Sequence, residues 1–149
     1  MTARKSLLYT LFKLGRVPQK ALPALESEGI VLLDEGLRAS VKFKNFRAPG
    51  RYHSSKSSIF AGSLVLTEQR FAGFAFSKPV INVGLHDDRL RALEISVPSD
   101  DVLSVRFDPS VFDLQSSGSV EFRFRTARAP SFLEHIGAGP EAEGGYQPR

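Results

Sequence analysis

The sequence predicts a mainly β protein: a seven-stranded antiparallel barrel with a short C-terminal helix, preceded by an N-terminal amphipathic helix. Three observations carry that expectation. Residues 37–44 and 119–126 alternate apolar and polar side chains with the period of two that a half-buried strand requires. Between them, the stretch from Gly62 to Phe74 reads as two strands meeting at Glu68-Gln69, with Phe60, Gly62, Leu64 and Leu66 on one face. Near both ends of the chain the spacing becomes helical, through Leu7, Leu8, Leu11 and Phe12 and again through Phe132, Leu133 and Ile136.

In chain order, Thr2 can cap a first helix of about three turns that Gly15 ends, its polar side carrying Arg4, Lys5 and Lys13. Pro18 and Pro23 make the next segment a connector, with a helical turn from Pro23 to Glu28 before Gly29. The first strand is expected over about 30–46. Glu35-Gly36 is a bend within it, then Leu37, Ala39, Val41 and Phe43 face one way and Arg38, Ser40, Lys42 and Lys44 the other. Residues 47–58 are polar and contain Pro49-Gly50, so they are expected to form a loop around the start of the second strand at 57–67. Further strands are expected at 70–77, 79–85, 90–97, 102–107 and 119–126, separated by Ser77-Lys78-Pro79, His86-Asp87-Asp88, Ser99-Asp100-Asp101 and Asp108-Pro109. Pro130 opens the closing helix and Gly137 ends it. The expected organisation is thus a helix and connector in 1–29, a β domain in 30–136 and a disordered Gly-, Pro- and Glu-rich tail in 137–149.

Composition narrows the chemistry. The 149 residues, 42% of them apolar, suffice for one packed core, and twelve Phe against three Tyr and no Trp supply its aromatic part. With no Cys there is no disulfide, thiolate metal site or cysteine nucleophile. No apolar run approaches the roughly 20 residues of a membrane-spanning helix, and a cytoplasmic protein, peripheral to a membrane at most, is expected. No phosphate-binding Gly-rich loop or Gly-x-Ser-x-Gly elbow occurs, so neither an enzyme nor a cofactor is expected. His86-Asp87-Asp88 and Asp100-Asp101 fit turns better than metal ligands or an acid–base pair.

An open sheet of seven short strands leaves vulnerable edges, and bending it into a barrel plugged by an apolar helix removes them. The order of four strands, three strands and a helix resembles the pleckstrin-homology fold. Gly62-Ser63-Leu64-Val65-Leu66-Thr67-Glu68-Gln69-Arg70 is similar to the Gly-x-Leu-x-Leu-Thr-x-x-Arg hairpin of GRAM-like and bacterial pleckstrin-homology-like domains. The resemblance covers about residues 30–136. It implies a non-catalytic binding module.

The net charge of +4 is blocky, residues 37–56 carrying only basic charge. Lys42 and Lys44 on the outward face of the first strand, with Arg47, Arg51 and Lys56 after it, form the candidate anion site. In phosphoinositide-binding members of the family that it resembles, the loop between the first two strands holds phosphates, and Lys point charges and Arg forks suit that chemistry. Anionic lipid is one expected partner. A protein or peptide bound in a groove beside the closing helix is the other, and the same basic residues could simply be a solvated face offset by Glu26, Glu28, Asp34 and Glu35. Nucleic acid, for which Phe46 and Tyr52 could stack on bases, ranks below both. Oligomeric state is left open.

Overall fold

The alternating run that begins at Ile30 folds into the two longest strands, β1 (Ile30–Ala48) and β2 (Arg51–Thr67), which meet at Pro49-Gly50. The computed structural model describes residues 16–137. The amphipathic helix expected before Gly15 and the tail expected after Gly137 lie outside the described residues. Five more strands follow: β3 (Arg70–Ala75), β4 (Lys78–Gly84), β5 (Glu94–Ser99), β6 (Val102–Phe107) and β7 (Ser117–Arg125). All seven form one antiparallel sheet in the order β4-β3-β2-β1-β7-β6-β5.

The sheet is not a closed barrel. Its edges are β4 and β5, and no ladder joins them among the described residues. The chain passes from one edge to the other through a 3-10 turn, Asp88–Ala92, where the sequence predicted the start of a strand at residue 90. Asp87 caps that turn, its carboxylate accepting from the Arg89 amide at 2.8 Å, and a helical turn cannot extend the ladder. Leu85, Leu90 and Leu93 in this connection are buried in the main core, so side chains cover what backbone pairing leaves open.

Two short helices flank the sheet. The first, α1 (Leu22–Ser27), has Pro23 near its start and packs Leu25 with Val17 onto Val65, Ala72 and Phe74, which point away from the main core. The outer face of β2 and β3 is thereby covered. The second, α2 (Ala129–Gly137), seats Phe132, Leu133 and Ile136 in the main core, and the Phe132 ring lies 6.3 Å from that of Phe71 on β3. Buried Thr126, just before α2, donates its hydroxyl hydrogen to Asp34 Oδ2 at 2.6 Å, tying the helix to β1.

The central hairpin gives each residue of the Gly-x-Leu-x-Leu-Thr-x-x-Arg pattern a structural task. A Cβ on Gly62 would meet the Phe74 carbonyl oxygen at 2.9 Å and the Phe60 and Phe124 rings at 3.0 and 3.1 Å, so a side chain there would push apart an edge-to-face ring pair at 5.9 Å. Leu64 and Leu66 are fully buried. Thr67 Oγ1 accepts from the Gln69 and Arg70 amides at 3.0 and 2.9 Å, which fixes the turn. Arg70 then clamps Glu28 at the end of α1.

Candidate functional site

The first difference from expectation concerns the polar segment 47–58, which is strand, not loop. β1 and β2 keep one register without interruption from Arg38↔Ala61 to Ala48↔Arg51. Polar composition reports exposure here, not conformation. Among the described residues no other element packs over this end of the ribbon, so its side chains need not be apolar, and β1 stays paired with β7 as far as Arg47↔Ser117. At Asn45, with φ +50°, β1 slips by one residue relative to β7, and Gly118 makes room: a Cβ on it would lie 2.4 Å from the Asn45 carbonyl oxygen.

The five basic residues therefore do not converge in one loop. Side chains directly opposite across a ladder share a face. Lys42 is opposite Ser57 and Lys44 opposite Ser55, on the face away from Val41 and Phe43; Lys56 is opposite Phe43, on the other. After the irregularity at Asn45, Phe46 is buried against Phe43 at 5.1 Å and stacks on His53 at 6.0 Å. Arg51 stands over the Phe46 ring at 5.7 Å, beside this aromatic cluster, whereas Arg47 lies over exposed Tyr52 at 4.6 Å. Lys42, Lys44 and Arg47 form one group and Arg51 and Lys56 another.

None of the five makes an ion pair among the described residues. The nearby acids are engaged elsewhere: Glu28 with Arg70 and Thr67, Asp34 with Thr126, and Glu35 with the Val17 amide at 2.7 Å. Among the described residues, none of Glu26, Glu28, Asp34 and Glu35 forms an ion pair with these five.

The face carrying Lys42 and Lys44 continues across β7, β6 and β5. Ser40 is opposite Arg123 and Lys42 opposite Glu121 on β7; those in turn are opposite Ser104 and Arg106 on β6. Arg106 pairs with Glu94, Arg123 with Glu121 (2.9 Å) and Arg125 with Asp101 (2.6 Å). Burial pushes the Glu121 carboxyl up, but the Ser104 hydroxyl and the Arg123 guanidinium outweigh it and hold the group below its ordinary value, so it is ionised at neutral pH. Asp101 behaves in the same way, burial being overcome by Ser99 and Arg125. Two shallow clefts lie on this face. One is bounded by Arg38, Ala39, Ser40, Val102, Arg123 and Arg125; the other runs from Glu94 and Ser96 to Glu121 and Arg123.

Sequence reading placed Arg38 outward but did not join it to Arg123 and Arg125. The signal was present in the two cleanest alternating strands. What was missing was that β1 and β7, whose paired residues lie 70 to 85 apart in the chain, are neighbours.

His86, Asp87 and Asp88 lead into the 3-10 turn, with Asp87 bound to Arg89. Among the described residues no group of three or more His, Asp or Glu is placed to hold a metal ion, and no helix is long and apolar enough to cross a membrane. No protein-family model matches the chain, and no curated protein is significantly similar to it.

Proposed function

We propose that this protein is a non-catalytic binding module of pleckstrin-homology-like or GRAM-like kind, which docks on an anionic surface, a membrane bearing acidic lipid or a phosphorylated ligand. The family reading is supported by the sequence of four strands, three strands and a helix, and by the Gly62–Arg70 pattern, in which each named residue has a packing or turn role. One observation carries the functional reading. Lys42, Lys44 and Arg47 project from one side of an exposed, well-paired ribbon with no carboxylate partner among the described residues. Unpaired cations on a rigid strand attract an anionic surface at a cost of little ordering entropy, each contributing about 1 kcal/mol near an acidic leaflet. The module is peripheral and cytoplasmic in this reading.

Sedimentation with vesicles tests it. The protein should pellet with phosphatidylcholine vesicles containing phosphatidylserine at low salt and be released at high salt. Reversing Lys42, Lys44 and Arg47 to Glu together should abolish pelleting; unchanged pelleting would remove the ribbon from the site.

A second reading, a scaffold that binds an extended peptide, is favoured by the edge of β2. Pairing with β3 covers Gly62–Leu66, and the Ala61 carbonyl oxygen accepts from the Phe76 amide, which leaves the N–H and C=O groups on that side of residues 51–60 without a strand beside them among the described residues, next to Ile59 at 87% exposure. Binding of that kind should tolerate salt.

A further inference from the structure

We infer that the cleft between β1 and β7 is a discrete site for a phosphate monoester, held by the guanidinium groups of Arg38, Arg123 and Arg125 around the hydroxyl of Ser40. This site is separate from the Lys42–Arg47 ribbon and does not depend on its role.

Three features point to it. First, the register brings like charges together. Ser40 is opposite Arg123 on β7, and Arg38 and Arg125, next to the end of that ladder at Ala39↔Phe124, line the same cleft. Like charges gathered in one cleft repel, and an anion between them turns that repulsion into attraction. Second, the donors are incompletely used. Arg123 gives its Nε to Glu121 and Arg125 gives its Nη1 to Asp101, which orients both groups while leaving other N–H donors on each, and Arg38 has no partner among the described residues. Third, the cleft, about 260 Å³, has no carboxylate in its lining, since Glu121 and Asp101 hold their arginines from outside it.

The number of forks selects the ligand. One bidentate arginine satisfies a carboxylate, whereas a phosphate monoester offers three terminal oxygens and close to two charges. Three guanidiniums on one face of a paired ladder suit the latter, and Val102 lies beside them in the lining. The phosphate can come from a free phosphorylated small molecule or from a lipid headgroup, and the two sources are separable by experiment.

The full chain is titrated with inorganic phosphate, then with glycerol 3-phosphate, at constant ionic strength set with sodium chloride, while backbone amide shifts are followed by NMR. Saturable shifts at Arg38, Ser40, Arg123 and Arg125 are expected, together with a rise in melting temperature over the chloride control. Arg38→Ala and Arg123→Ala should each weaken binding about tenfold, and Arg38→Lys should recover only part of it because a point charge replaces a fork. Lys78→Gln, exposed on the distant edge strand β4, should leave the phosphate titration unchanged. These arginines are exposed, so unaltered melting temperatures in chloride verify that the variants fold. If the phosphatidic acid content of vesicles governs binding through the same three arginines, the source is a lipid headgroup; if only the soluble esters compete, it is a free ligand. Non-saturating shifts spread over all basic residues, or an Arg38→Ala variant that binds as tightly as the parent, would overturn the site.

Discussion

Arg70 holds Glu28 across 42 residues of sequence, its Nε donating to both carboxylate oxygens at 2.9 and 3.0 Å and its Nη2 to Oε2 at 2.8 Å. The remaining Nη1 donates to Asn82 on β4 at 2.9 Å, and Thr67 donates to the same carboxylate at 2.8 Å. One guanidinium thus joins the end of α1, the β2–β3 turn and the sheet edge. Charge-assisted contacts of this kind contribute about 1.5–3 kcal/mol when sheltered, and less here because Arg70 is about one-third exposed.

Removing the clamp should show as non-additivity. Glu28→Ala and Arg70→Ala should each lower stability by about 1–2 kcal/mol, and the double variant by much less than their sum, in urea unfolding. Acid should have the same effect as mutation. The Arg70 contact, helped by Thr67 and opposed by burial, holds the Glu28 carboxyl below its ordinary value of 4.5. A depressed carboxyl stabilises the fold fully above its unfolded value and loses that contribution as pH falls through the folded one. The urea midpoint should therefore drop between about pH 5 and pH 3, and Glu28→Gln should flatten that limb. An acid limb identical in both proteins would assign the loss to other carboxyls.

Gly62→Ala should cost about 1–3 kcal/mol by overpacking, because the nearest obstacle is the Phe74 carbonyl, which belongs to the paired backbone and cannot rotate away. Thermal unfolding measures the loss. A simultaneous Phe124→Leu change should not restore stability, since it relieves the ring and leaves the carbonyl.

The opposite sign is expected next door. Ser63 is fully buried and its hydroxyl has no hydrogen-bond partner among the described residues. Ser63→Ala removes the unsatisfied group without changing the shape much and should raise stability by about 0.5–1 kcal/mol. A decrease in melting temperature would mean that the hydroxyl is satisfied in solution.

Neutralising the ribbon should leave the fold untouched. Lys42 and Lys44 are exposed and make no ion pair among the described residues, so Lys42→Gln and Lys44→Gln should each stay within about 0.5 kcal/mol of the parent. The same chemical-denaturation experiment then serves as the folding control for every vesicle measurement.

How much of this was legible in the sequence follows from the kind of information each element carries. The alternation in 37–44 and 119–126 reports a half-buried strand locally, and both strands are where they were expected, as are the bend at Glu35-Gly36 and the closing helix. Residues 47–58 were misread because Ser, Lys and Tyr in an exposed ribbon look like loop composition, and residues 90–92 because the alternation of Leu93, Ile95 and Val97 was extended back into a turn, where Leu90 and Leu93 are three residues apart rather than two. Closure was overestimated for a physical reason. Edge protection can be achieved by Leu85, Leu90 and Leu93 as well as by a ladder, and composition does not distinguish the two. The candidate cleft is a tertiary fact: Arg38 and Arg125 are each ordinary outward residues until the pairing of β1 with β7 brings them to one cleft.

The β1–β2 register, uninterrupted from Arg38↔Ala61 to the turn, also constrains how this protein can change over evolutionary time. Adding two residues to each arm of the ribbon would carry Pro49-Gly50 outward by roughly 6.6 Å and leave every side chain on its present face. Adding one to a single arm would invert the facing of everything beyond the insertion, setting lysines where aromatics now pack. Lengthening in matched pairs is the permitted route, so reach can be tuned by descent while the core beneath is inherited unaltered.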